Sequence, residues 1–238
     1  MINNEFAFES RVRISECDNT GKLRLSSIIN YFQDCSTLQS ELLGVGGDFC
    51  REHKRAWVLS SWQIVVERYP ALAEEIKVRT WATAFKGLFG ERNFCIEDKD
   101  GNMIAYANSL WVYMDIEKGR PTKPRPEEIE PYGVGEPLEM EQMSRKISLP
   151  VQAEVKESFR VWKYQIDTNN HMNNCQYVQM AMEFLEDGFV PGKIRVEYKK
   201  SAHNGDVIIP KVAKDENRIV IELCDEMDKL YASVEFQI

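Results

Sequence analysis

Two stretches of this chain are variants of one plan. Residues 12–34, VRISECDNTGKLRLSSIINYFQD, and residues 161–183, VWKYQIDTNNHMNNCQYVQMAME, align with Asp18 set on Asp167. Each has a β-like lead-in, an acidic turn and a helix-like run. The match continues downstream. WQIVVERYPALAEEIKVRTW from Trp62 resembles KIRVEYKKSAHNGDVIIPKV from Lys193 with one gap. FCIEDKDGNMIAYANSLWVYMD from Phe94 resembles IVIELCDEMDKLYASVEFQI from Ile219. Units of this length describe a fused pair of similar domains rather than a solenoid. The polar residues are not duplicated: Thr20 and Lys22 stand where the second copy has Asn169 and His171. One copy keeps the shape and the other carries the candidate chemistry.

The first unit opens with a strand around Glu9 to Ile14. A helix follows over roughly Leu25 to Leu43, with Ile28, Ile29, Phe32, Leu38 and Leu42 as its apolar face and Gly44 as its stop. The β-rich runs WVLSSWQIVVERY, IKVRTWATAF, ERNFCIED and MIAYANSLWVYMDI come next, and DKDGN (98–102) is a hairpin signal. One long helix followed by four or five antiparallel strands is an α+β plan in which the sheet wraps the helix. Residues 117–150 are rich in Pro and charge and form a connection between units. From about residue 151 the plan repeats more briefly.

Composition narrows the function classes. With 43% hydrophobic and 29% charged residues the 238-residue chain is globular in character. No apolar run approaches the ~20 residues that span a bilayer. The N-terminus, MINNEFAFES, lacks the basic start and apolar stretch of a secretory signal, so a cytoplasmic location is expected. A net charge of −8 argues against nonspecific nucleic-acid binding. The six cysteines have no CxxC and no zinc-type spacing with the three histidines, so buried thiols are expected and a structural metal is not.

The chemistry concentrates in DTNNHMNNCQYVQMAMEFLE, residues 167–186. Asp167, Asn169 and His171 alternate just ahead of a helix on which Tyr177, Val178, Ala181, Met182, Phe184 and Leu185 recur at near-helical spacing. Asn173 and Asn174 suit its N-cap. A carboxylate, an amide and an imidazole at a helix N-terminus suit general-base attack on a carbonyl. The bland reading is a polar turn, a cap and a satisfied histidine.

These residues resemble a known family. The chain resembles the acyl-acyl-carrier-protein thioesterases of plants and bacteria, over nearly its whole length. DTNNHMNNCQY matches that family's Asp-x-Asn-x-His-x-Asn-Asn-x-x-Tyr signature. RVEYKK (195–200), FQDCSTLQSELLG, WVLSSWQIVVERYP and TWATAF look like family blocks in family order. The resemblance implies two tandem hotdog domains, residues 1–140 and 151–238, each a long helix wrapped by an antiparallel sheet. It implies cofactor-free hydrolysis of a fatty acyl chain held on the phosphopantetheine arm of acyl carrier protein, which ends chain elongation. It places the catalytic group, Asp167, Asn169 and His171, in the second hotdog, with the first lining much of the acyl pocket. One departure stands out. Plant members carry Glu and then Cys after Glu-Tyr-basic-basic, and this chain has Ser201 and Ala202. A cysteine nucleophile is therefore absent there, and the Asp, Asn and His group acts alone, or Ser201 or a water substitutes.

Water attack on a thioester needs a base and a place for negative charge. Asp167 or His171 is the base, with Asp167 favoured and His171 positioning and polarising. Asn169 orients a partner or donates to substrate. Main-chain N–H groups near Asn173 and Asn174 hold the oxyanion, assisted by the helix dipole. His203, in KKSAHNGD, reads as a solvated turn, with a Ser201–His203 pair as the sharper alternative. Lys118, Arg120, Lys123, Arg125, Lys199 and Lys200 are either solvated surface or a docking patch for the carrier. Competing functions are an acyl-CoA hydrolase, a hotdog dehydratase and a noncatalytic acyl-chain binder. Oligomeric state, including a homodimer, stays open.

Overall fold

The computed structural model describes residues 4–141, 143–150 and 152–237. Val151, near which the sequence starts its second unit, lies outside them. The chain forms two compact units: Met1–Ser60 with Val66–Glu141, and Ser61–Val65 with Gln142–Ile238.

The first unit runs β1 (Phe6–Arg11), α1 (Leu25–Leu42), α2 (Gly47–His53), β2 (Arg55–Val66), β3 (Glu75–Lys86), β4 (Phe89–Asp98), β5 (Met103–Asp115), β6 (Arg120–Pro121) and the short α3 (Pro126–Ile129). Its strands lie in the order β1-β3-β4-β5-β2, with antiparallel ladders at β1/β3, β3/β4 and β4/β5. Alternation places Ile76, Val78, Thr80 and Ala82 of β3 inside, while Glu75 and Lys77 face water. α1 packs on this sheet, with Phe32 and Phe94 ring centroids 5.3 Å apart.

The helix ends as the sequence indicates. Gly44 takes φ +73°, its N–H donates to the Glu41 carbonyl at 3.1 Å, and the Val45 N–H donates to the Ser40 carbonyl at 3.0 Å. This is a Schellman stop, which needs a left-handed residue. The buried face differs from the expected one. Leu38 and Leu42 are exposed, and the inward stripe continues from Phe32 through Cys35 and Gln39. Gln39 is inside because it answers a buried cation. Arg92 on β4 donates to the Gln39 carboxamide oxygen and, at 3.1 Å, to the Thr80 hydroxyl, under the Tyr132 ring. Hydropathy ranks Gln39 below Leu38, but a buried guanidinium without such acceptors would be far less stable.

The Pro-rich segment is packed. Trp81 Nε1 donates to the Glu136 carbonyl at 2.8 Å, and the Leu138 N–H donates to Asn93 Oδ1 at 2.8 Å. Glu128 is buried against Arg55 at 2.9 Å.

The second unit contains β7 (Glu154–Val155), β8 (Phe159–Arg160), α4 (Asn174–Met182), β9 (Lys193–Tyr198), β10 (Val207–Lys214), β11 (Arg218–Cys224) and β12 (Leu230–Gln237). Residues 61–65 pair with β9, and the order continues β9-β12-β11-β10, with β7 and β8 on β10. Matching β9, β12, β11 and β10 to β2, β5, β4 and β3 reproduces the first unit's strand order. The internal repeat is thus a repeat of topology. The second helix is half as long as the first: α4 stops at Met182, and Phe184 and Leu185 lie in the turns beyond it.

Candidate active site

Residues 167–171 form a five-residue turn closed by its first residue. The Asp167 N–H donates to the His171 carbonyl at 2.8 Å, and the Asn170 N–H donates to the Asp167 carbonyl at 3.1 Å. Asp167 Oδ1 accepts the N–H of Asn169 at 2.8 Å and of His171 at 3.3 Å. Asn170 holds φ +61°, a conformation that Asn tolerates better than most residues. Flanking residues Ile166 and Met172 form an antiparallel bridge.

The same turn occurs at Asp18–Lys22. Asp18 Oδ1 accepts from Thr20 N at 2.8 Å and Lys22 N at 3.1 Å, Gly21 has φ +76°, and Cys17 bridges Leu23. It occurs twice more in hairpins, at Asp98–Asn102 and Asp225–Lys229. The fourth position is left-handed each time: Gly21, Gly101, Asn170 and Asp228. The shared pattern, an Asp followed three residues later by Gly, Asn or Asp, was visible in the sequence. The anchor carboxylate is therefore a general device of this fold. Only at 167–171 do the third and fifth positions present an amide and an imidazole.

The structure brings the Asp167 carboxylate to the main chain of Asn169 and His171, not to their side chains. Asn169 is exposed and His171 half-buried. The His171 ring lies edge-on to that of His203, centroids 5.0 Å apart. Sequence spacing could not show this contact, because it joins two loops. The Met172 N–H donates to the Ala202 carbonyl at 2.8 Å, and the Ala202 N–H donates to the Tyr177 hydroxyl at 2.8 Å. Burial pushes the Tyr177 phenol up to about 12. Ala202 is fully buried, and Ser201 makes no hydrogen bond to either histidine among the described residues.

The helix start is corrected in one respect. Asn173 is the N-cap: its Oδ1 accepts the Cys175 N–H at 2.9 Å and its carbonyl accepts the Gln176 N–H at 2.9 Å. Asn174 is the first helical residue, and its carbonyl accepts from the Tyr198 hydroxyl at 3.0 Å. Two of the N–H groups suggested for an oxyanion are thus already occupied within the turn.

Four of the six basic side chains considered for docking have carboxylate neighbours: Lys118 with Asp115, Arg125 with Glu127, Lys199 with Glu197 and Lys200 with Asp225. All four cations remain partly exposed in these pairs.

Known proteins share both the sequence pattern and the fold of this chain. The acyl-ACP thioesterase N-terminal domain matches residues 3–132, and the acyl-ACP thioesterase C-terminal domain matches residues 149–237. The chain belongs to the acyl-ACP thioesterase family. A relative in this family, the chloroplastic palmitoyl-acyl carrier protein thioesterase of Cuphea hookeriana, is 30% identical over 67% of this chain and 41% of its own length. The chain spans about half the length of the curated relatives it matches. The fold is that of the acyl-ACP thioesterase from Bacteroides thetaiotaomicron, with a TM-score of 0.89, 22% identity, and coverage of 98% of this chain and 97% of that one. It is also that of the 12:0-ACP thioesterase from Umbellularia californica, at 0.87, 18%, 99% and 97%. The shared fold is the hotdog fold, so the expected α+β architecture of tandem hotdogs holds.

Proposed function

We propose that this protein hydrolyses fatty acyl-acyl-carrier-protein thioesters to free fatty acid and carrier protein, ending chain elongation. The observation that carries this reading is the duplicated turn. The fold builds the same Asp-anchored loop ahead of α1 and α4, and only the second displays an imidazole, at His171. Imidazole is the side chain whose unperturbed proton equilibrium lies near neutrality.

The anchoring bonds shift the division of labour. Asp167 Oδ1 already accepts two main-chain N–H groups, as Asp18, Asp98 and Asp225 do in turns to which no chemistry is assigned. We assign Asp167 to hold the turn and His171 to act as base. His171 takes a proton from water as the water oxygen bonds to the thioester carbon. The Asn169 carboxamide N–H donates to the carbonyl oxygen as charge develops on it. Collapse of the tetrahedral intermediate breaks the C–S bond, and the imidazolium returns its proton to the leaving pantetheine sulfur. Ser201 has no role in this scheme, and neither does a metal or an organic cofactor.

The test is hydrolysis of C8 to C18 acyl-carrier-protein thioesters and matched acyl-CoAs by wild type and His171→Ala. Fatty acid release from the carrier substrates, lowered about 100-fold or more in the variant, is the expected result. Tight acyl binding without release would replace this reading with a noncatalytic binding protein. Equal rates on both thioester classes would remove the carrier from the assignment.

A further inference from the structure

A catalytic imidazole is usually held by a third group, because misaiming the reacting atoms by about 1 Å can lower a rate ~100-fold. The turn bonds of His171 fix its main chain only. What meets its ring is the ring of His203, at 5.0 Å between centroids and 83° between planes. His203 is itself anchored. Its N–H donates to Asp206 Oδ2 at 2.9 Å, and its Nδ1 lies 3.8 Å from the same oxygen. The Tyr231 hydroxyl donates to that oxygen at 3.2 Å. The Asp206 N–H donates to the His203 carbonyl at 3.1 Å, the Val161 N–H to the Asp206 carbonyl at 2.8 Å and the Gly205 N–H to the Val161 carbonyl at 2.9 Å. The 203–206 turn is therefore tied to the strand edge on one side and faces the catalytic turn on the other.

We propose that His203 is a positioning residue for His171, acting in the series Tyr231, Asp206, His203, His171. This rests on the reaction assigned above. His203 does not touch substrate; its ring limits rotation of the His171 ring and leaves the nitrogens of His171 for water and sulfur. Asp206 serves as the fixed post. Sequence alone hides the series, since it draws on two loops and β12.

The experiment is steady-state kinetics on an acyl-carrier-protein substrate for wild type, His203→Ala, His203→Phe and Asp206→Asn, with melting temperatures. His203→Ala is expected to lower kcat about 10- to 100-fold with KM and Tm unchanged. His203→Phe keeps an edge-on ring and is expected to restore most of kcat, with Asp206→Asn between them. An active wild type and dead His171→Ala, together with an unchanged kcat in His203→Ala, would overturn the inference and leave the reaction standing. So would a Phe variant no better than Ala. If wild type itself releases no acid, the reaction fails first, and NMR still tests the ring contact. The chain has three histidines, so three ring signals are followed. His203→Ala should move the His171 signal and spare His53, which stacks on Phe49; an unmoved His171 signal would remove the pairing.

Discussion

The duplicated turn supplies an internal control for the role of Asp167. Asp18→Ala and Asp167→Ala each delete a carboxylate oxygen that accepts two main-chain N–H groups, at 2.8 and 3.1 Å in the first copy and 2.8 and 3.3 Å in the second. Both turns lie near water, which takes over part of each lost bond. A figure of about 0.5–1 kcal/mol per bond is appropriate, and the loss is then about 1–2 kcal/mol for Asp167→Ala and about 1.5–3 kcal/mol for Asp18→Ala, whose oxygen also accepts the Thr20 hydroxyl at 2.7 Å. For a chain of this size, each kcal/mol moves Tm by about 2–4 °C, so a drop of roughly 3–12 °C is expected for Asp18→Ala and roughly 2–8 °C for Asp167→Ala. Asp167→Asn keeps an acceptor oxygen and should lose less than half of that. Calorimetry gives the stabilities, and acid release from an acyl-carrier-protein substrate gives the rates. Asp18→Ala should leave turnover of the folded protein unchanged. If Asp167 holds the turn, Asp167→Asn should retain turnover within about tenfold, because geometry survives without the charge. A 100-fold fall in Asp167→Asn at unchanged Tm would refute this reasoning and make Asp167 the base.

Three further outcomes follow from the same structure. Tyr177→Phe removes the acceptor of the buried Ala202 N–H and should lower stability by about 1–3 kcal/mol in denaturant melts, with a fall in turnover as the 201–203 segment loosens; a neutral effect on both would dissociate that segment from the site. A thiol reagent at pH 8 on native protein should label Cys50 first, since the other five cysteines are buried and burial pushes Cys35 and Cys95 up to about 12; rapid labelling of Cys175 coupled to inactivation would contradict the packing around α4. Stability should fall steeply below about pH 4. Among the described residues, hydrogen bonds and ion pairs hold seven carboxyls below their ordinary values, among them Asp18, Glu74 and Asp225. A lowered folded value gives stability that is complete above the unfolded value, about 4, and is lost as pH falls through the folded one. Burial raises Asp34 and Glu222, which act in the opposite sense, so a flat Tm between pH 5 and 3 would mean that these two dominate.

Much of the architecture is legible in the chain because it is local or repeated. Alternation marks β3 and its neighbours, Gly44 marks the end of α1, and the paired segments around Asp18 and Asp167 carry the duplication. The cluster Asp167, Asn169 and His171 is visible for the same reason: five consecutive residues close one turn. Where reading fails, a partner distant in sequence decides. Leu38 and Leu42 look like core and are exposed, whereas Gln39 looks like surface and is buried, because its partner Arg92 lies 53 positions away on β4. Asn174 looks like a cap until Asn173 is seen to hold the Cys175 N–H.

That two α+β units share one plan, and that only the second displays an imidazole on the shared turn, can be read from the order of residues alone. Tertiary structure alone decided what that imidazole faces. Folding sets loop 201–206 against loop 167–171 through the Met172 to Ala202 and Ala202 to Tyr177 hydrogen bonds, and so brings His203 to His171. No pattern of neighbouring residues encodes that contact, because its position is fixed by strand register and by a buried tyrosine hydroxyl, both of which exist only once the sheet has formed.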